Sequence, residues 1–192
     1  TAPVYAVTLE DYPDKAFDKE QSAAVLADVV VDPKGRMLTC TVEKSDGAAD
    51  LAARICSIYE KKRHVPAHFG NGDPAWFAET DVYRMTLPGT SASAAIEALR
   101  DNDAVFQVSS LPAGMDHLDA KLVVAVDVSG AITDCGPDAG DSESVVTQMV
   151  CSNTAVIPRD VFRTPEGEAV PYVSRIRVRF TLAEAVAQGP AR

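Results

Sequence analysis

The stretch VDPKGRMLTC at residues 31–40 returns as VDVSGAITDC at residues 126–135. Shifting the sequence by 95 positions against itself aligns Val31 with Val126, Asp32 with Asp127, Gly35 with Gly130 and Cys40 with Cys135. The register continues without a gap through Asp46 and Asp141, Cys56 and Cys151, and Gly72 and Gly167, and ends with Arg84, Thr86 and Leu87 over Arg179, Thr181 and Leu182. Self-similarity at one fixed period marks one structural unit written twice. The chain of 192 residues therefore reads as two units, 1–88 and 109–192, with a helical linker at 89–108. GTSASAAIEALRDND (89–103) supplies the linker helix, and SSLPAG (109–114) a loop entering the second unit.

Inside each copy the pattern is the same. LADVVV (26–31) and LVVAV (122–126) are valine-rich strands, closed by the glycine-ended turns DPKG and DVSG. RMLTCTVEK (36–44) and the shorter AITDC (131–135) supply the returning strands of two hairpins. A helix follows in DGAADLAARICSIYEKKR (46–63), with Leu51, Ile55 and Ile58 on one face, Asp46 as N-cap and basic residues in the last turn. Val146 and Val150 hold the matching places in the second copy. The unit closes on a long strand. In YVSRIRVRFTL (172–182), Ile176, Val178, Phe180 and Leu182 alternate with Arg175, Arg177 and Arg179; its counterpart turns Tyr83, Met85 and Leu87 inward. Two strands, a helix and a strand give an α+β fold, each unit a small antiparallel sheet with a helix packed on one face.

Four cysteines allow three pairings, and the repeat selects Cys40 with Cys56 and Cys135 with Cys151, because each copy then keeps its own matched pair. Each bridge would pin a helix to its sheet and place the chain in an oxidising compartment, periplasmic or extracellular. A metal site would bring its cysteines much closer in sequence, and a nucleophile would not be duplicated with its partner.

Composition excludes several classes. Twenty-eight acidic against 18 basic residues leave a net charge of −10, which opposes binding to nucleic acid or to an anionic membrane. No apolar run reaches the roughly 20 residues that cross a bilayer, so no membrane span is expected in this chain. It begins at Thr1 without a methionine, as a mature protein after leader removal or a trimmed chain would. His64 and His68 flank Pro66 and read, like His117, as solvent-exposed loop residues. DAGDSE (138–143) lacks the ordered spacing of a calcium loop and reads as a solvated turn with a helix cap. No nucleophile elbow, phosphate loop or carboxylate pair stands out, so neither catalysis nor a cofactor or metal is expected. The stripe Arg175, Arg177 and Arg179 has two readings: pairing with acidic residues on neighbouring strands, or a binding surface for an acidic, extended partner.

The first copy resembles the C-terminal domain of the TonB energy-transducer family. The resemblance rests on DYPDKAF (11–17), VVVDPKGRMLTCTVEKSDG (29–47) and LAARIC (51–56), followed by a proline-containing stretch and a final strand. An upstream Tyr-Pro pair, a V-D-x-x-G-R turn, a strand running into S-D-G and a helix make up that family's pattern, with a cysteine on strand and helix in some bacterial versions. It covers residues 11–88 well and 109–182 more weakly. The second copy has no Tyr-Pro pair, its second strand stops at Gly136-Pro137, and CGPDAG replaces the usual continuation.

The resemblance implies a periplasmic domain that pairs a strand with a short extended segment of an outer-membrane transporter. The membrane anchor and proline-rich spacer of true transducers are not in this sequence. The expected function is a periplasmic or secreted, non-enzymatic protein-binding module. Its site is an exposed sheet edge, with the strands at 76–87 and 172–182 as first candidates, and its partner an envelope protein. The alternatives are an envelope enzyme or small-molecule binder using the cleft between the units, and a purely structural envelope protein.

Overall fold

A computed structural model of the chain describes residues 1–5, 7–87, 100–138 and 144–183. Its first hairpin shows why V-D-x-x-G recurs. Strands β1 (Ala23–Val31) and β2 (Met37–Gly47) are joined by a turn in which the Asp32 carboxylate accepts the amides of Lys34 and Arg36, both at 2.9 Å. Gly35 completes that turn at φ 77°. In the second copy Asp127 accepts the amides of Ser129 and Ala131, and Gly130 sits at φ 87°. Side-chain acceptor and left-handed glycine together make the reversal.

Space separates the turn glycines. A Cβ on Gly35 would stand 2.0 Å from the carbonyl oxygen of His64, whereas one on Gly72, at φ 89°, would meet nothing within 4 Å. Gly72→Ala is expected to lose about 1 kcal/mol from strain alone. Gly35→Ala should lose at least about 2 kcal/mol more, since backbone must move to admit the methyl. Denaturant midpoints of the two variants measured side by side check this.

Helix α1 (Asp14–Asp18) precedes β1, and α2 (Ala49–Glu60) follows β2. After α2 come the short β3 (Ala67–His68) and the long β4 (Pro74–Met85). The second half runs β5 (Ala104–Val108), β6 (His117–Val126), β7 (Ile132–Pro137), α3 (Val145–Cys151) and β8 (Tyr172–Leu182). The α+β class is as expected, and strand, strand, helix, strand occurs twice.

Two local expectations change. Asp46 does not cap a helix: β2 continues past it, pairing Asp46 with Ala24, and α2 begins after Ala48. Gly47, at φ 88° and packed against the Ser22 carbonyl, makes the exit turn that a side chain would block. Of the helical linker, residues 89–99 lie outside the described residues, and its end, AVFQV, is strand β5, paired in parallel with Val178–Leu182. Two β-branched residues and an aromatic in five suit a strand better than a helix. DAGDSE lies outside the described residues beyond Asp138.

The two small sheets are fused. Strand order is β2-β1-β4-β8-β6-β7, with β3 beside β4 and β5 beside β8 in one mixed eight-stranded sheet. β1 is antiparallel to β2 and β4, and β6 to β7 and β8. The halves meet where β4 and β8 run parallel, Trp76 and Phe77 against Tyr172 and Val173.

That junction turns one half over relative to the other. Val25, Val29, Val31, Phe77, Tyr83 and Met85 form one core with Leu51 and Ile55 of α2. Leu122, Val124, Val126, Ile176, Val178 and Phe180 form another with Val150 of α3. Val123 and Val173, which alternate with the second set along β6 and β8, belong to the first core. Successive strand residues point to opposite faces, so α2 and α3 cover opposite faces of one sheet. The odd-numbered residues of β8, including Arg175, Arg177 and Arg179, therefore lie on the α2 side.

Both disulfides have the pairing the repeat selects: Cys40–Cys56 with Cα atoms 5.5 Å apart and Cys135–Cys151 at 5.4 Å. They staple the outermost strands, β2 and β7, to α2 and α3. Among the described residues no helix is long and apolar enough to cross a membrane. The two disulfides are consistent with an oxidising compartment, periplasmic or extracellular.

Candidate functional site

Of the two strands first expected to offer an open edge, β8 is flanked on both sides, whereas β4 is paired along its length with β1 alone. β4 pairs with β1 along Ala23–Val31, and β8 pairs with β6 along His117–Val126. On its other side β8 meets β4 at its start and β5 at its end. β4 and β8 pair only through Trp76–Phe77 and Tyr172–Val173, so beyond Phe77 the side of β4 turned away from β1 has no strand partner among the described residues.

The arginines on β8 accordingly pair with acids. The Arg179 guanidinium binds both oxygens of Asp119 at 2.7 Å, its partner across β6. Arg177 is nearly enclosed, with Asp81 at 3.9 Å on one side and its own amide held by Asp103 at 2.7 Å. Arg175 is the most connected: Nε donates to Asp138 at 2.9 Å, Nη1 to both oxygens of Glu79 at 3.3 Å, and Nη2 to the Pro3 carbonyl at 3.0 Å. Its guanidinium lies 5.6 Å from the ring centre of Phe77. Cross-strand pairing is thus where the structure places the stripe.

Beyond Phe77 and Val173, β4 and β8 diverge, and a cavity of about 240 Å³ opens between the halves on the α2 side. Tyr5, Tyr59, Glu79, Tyr83, Asp138 and Arg175 line it, among others. Glu79 is enclosed there, with 1% of its side chain exposed. One of its oxygens accepts Tyr5 at 2.8 Å and Tyr83 at 2.6 Å, besides Arg175. Burial pushes the Glu79 carboxyl up, with Arg175 pulling the other way. Burial and the adjacent Glu79 hold the phenols of Tyr5 and Tyr83 well above their usual value. For Arg175, burial disfavours the cation, but Glu79 and Asp138 outweigh it and raise its pKa.

Sequence reading passed over Glu79, yet a signal was present. It stands between Phe77 and Tyr83 in the inward register of β4, where a carboxylate is out of place unless something charged meets it. The charge comes from the other half of the chain.

Tyr5, which ends the segment at residues 1–5, lines this cavity. The backbone of Val4 exchanges hydrogen bonds with Val65 at 3.2 and 3.1 Å, and the His68 amide donates to Thr1 at 3.0 Å. The segment thus runs antiparallel to β3 and its lead-in, bridged at Val4 and Val65. Tyr5 inserts among Tyr59, His64 and Tyr83, with ring centres 5.7, 5.0 and 5.2 Å away.

His64 is not an exposed loop residue: it is 2% exposed, and a ring nitrogen lies 2.9 Å from the Tyr59 carbonyl. That nitrogen must carry a proton to donate, and burial lowers the ring's pKa. A depressed histidine leaves stability intact above about pH 6.5, the value an unfolded chain keeps, and stability falls as pH drops below it. His64→Gln should flatten urea midpoints between about pH 7 and 5 relative to the parent. His68 is partly buried in β3, and His117 opens β6 beside Asp116 and Asp119.

At the two ends of the strand order, β2 and β7 each keep one side unpaired among the described residues. β2 is the longer, 11 residues against 6, and most of it is exposed. Register shifts opposite Leu26/Ala27 and Val30/Val31 break its pairing with β1, leaving Thr39–Val42 as the regular stretch between them. Cys40 in that stretch is tied to α2. Among the described residues no three His, Cys, Asp or Glu side chains converge as a metal site. In comparisons with known proteins, the chain matches no family model, no curated protein and no solved structure.

Proposed function

We propose that the protein is a periplasmic or secreted, non-enzymatic binding module of the TonB C-terminal type, which receives an extended segment of an envelope protein along the open edge of β2. The observation that carries this reading is the edge itself: Thr39–Val42 is regular, exposed, unpaired on its outer side among the described residues and held rigid by Cys40–Cys56. An edge of this kind supplies affinity through main-chain hydrogen bonds and selectivity through alternate side chains. The flanking bulges limit how far a partner strand can run, which restrains indiscriminate edge-to-edge association. An outer-membrane transporter is the class of partner the resemblance points to.

The test is to capture a partner from an envelope extract on the oxidised protein and to map backbone amide exchange in the complex. Slowed exchange across residues 37–47, with 172–182 unchanged, supports the reading. Protection elsewhere, or no partner retained, counts against it. A second reading, a small-molecule site in the cavity between the halves, is favoured by groups converging from both copies. It ranks lower because Glu79, Asp138 and Arg175 already satisfy one another.

A further inference from the structure

The segment at residues 1–5 is bound the way a protein binds a foreign peptide. Its main chain runs antiparallel to β3 and its lead-in, with an isolated bridge between Val4 and Val65 and a hydrogen bond from the His68 amide to the Thr1 carbonyl. Its side chains divide between solvent and the protein. Val4 is 57% exposed, while Ala2 is 5% exposed and Pro3 is buried beside it. Tyr5 reaches furthest, its hydroxyl meeting Glu79 and Tyr83 at the bottom of an aromatic pocket. Arg175, from the other half of the chain, binds the Pro3 carbonyl at 3.0 Å.

Each element of recognition is built by the receptor side. The pocket walls Tyr59, His64 and Tyr83 come from α2, its exit loop and β4. Tyr59 and Tyr83 also pack on each other, 5.1 Å between ring centres, without help from Tyr5. The floor carboxylate, Glu79, is held by Tyr83 and Arg175 as well as by Tyr5. Proline suits the segment because it needs no amide partner and biases the residue before it to extended backbone, lowering the ordering cost on binding.

We propose that this groove is a peptide-recognition site for an extended segment reading small residue, proline, any residue, tyrosine, and that the chain's own residues 2–5 fill it in cis. The occupant it takes in trans is the same segment of a second copy. Tethering gives the resident segment an effective concentration on the order of mM, so the intact chain excludes competitors that a vacated groove accepts. The site is separate from the β2 edge, and neither depends on the other.

The experiment inserts a protease site between Val7 and Thr8 of the full chain and cleaves after folding, with both disulfides formed. The probe is a fluorescent peptide of residues 1–7, read by anisotropy. The expected result is saturable binding to the cleaved, desalted protein, at least about tenfold tighter than to the uncleaved chain. Retention of the cleaved segment through gel filtration would equally show recognition in trans. The same peptide carrying Tyr5→Ala should lose binding by at least about tenfold, and amide protection should appear at 65–68 and not at 37–47. A full-length Tyr5→Ala chain gives a second receptor with the pocket open. The proposal is overturned if the folded, vacated protein binds neither peptide, or binds both equally. Loss of the fold on release that added peptide does not reverse would overturn it too.

Discussion

Arg175→Met is expected to lower stability by about 3–5 kcal/mol, more than any other single charged-to-neutral change on β8. The reason is what remains behind. Glu79 keeps its place in the core with 1% of its side chain exposed, and loses the cation that balances it. Tyr5 and Tyr83 still donate to it, but neutral donors do not replace a guanidinium beside an enclosed carboxylate. The same change removes the hydrogen bonds of Arg175 to Asp138 and to the Pro3 carbonyl.

Glu79→Leu with Arg175→Met should lose less than Arg175→Met alone, because an apolar pair leaves no stranded charge at that position. Arg179→Met removes a pair that is more than one-third exposed on both sides and should change stability by less than about 1 kcal/mol. Urea midpoints of the four proteins decide the matter. Equal losses for Arg175→Met and Arg179→Met would mean that the enclosure of Glu79 has been misjudged. Raised pH tests the same group: a carboxyl whose pKa is raised in the folded chain favours folding below its unfolded value of about 4.3 and gives up that contribution as pH climbs through the folded value. In Glu79→Gln this part of the pH dependence should vanish.

Removing either disulfide should cost about 3 kcal/mol, the chain-entropy figure for a loop of this length. The consequences differ between the halves. α2 spans 12 residues and buries Leu51, Ala52, Ile55 and Tyr59, so it stays docked when Cys40–Cys56 is replaced by two serines. α3 spans 7 residues and buries Thr147 and Val150, which leaves it far more dependent on its staple. With Cys135→Ser and Cys151→Ser, amide protection over 145–151 should fall well below the global value. With Cys40→Ser and Cys56→Ser, protection over 49–60 should follow global stability. Similar behaviour in the two helices would contradict the argument from buried contacts.

Local chemistry was legible from the residues alone. Asp32 and Gly35, like Asp127 and Gly130, announced their turns because an acceptor side chain and a left-handed glycine act within five residues. The cysteine partners followed from the repeat, since both copies must obey one geometry. Arg175, Arg177 and Arg179 were correctly assigned to one face of a strand by their alternation. What that face meets was not legible. Asp119 comes from β6, Asp81 and Glu79 from the other copy, and no spacing along the chain reports them.

Two copies of strand, strand, helix and strand, with their turns, apolar faces and staples, are written in the residue pattern. These depend on neighbours within one copy. The parallel join of β4 and β8, the opposite faces taken by α2 and α3, and the course of residues 1–5 along β3 are set by long-range packing. The physical reason is that a strand has two edges with the same hydrogen-bonding capacity, and its side-chain pattern specifies faces, not edge partners. The choice of edge rests on long-range contacts. Here the enclosed pair of Glu79 and Arg175, one from each copy, lies at the junction where that choice was made.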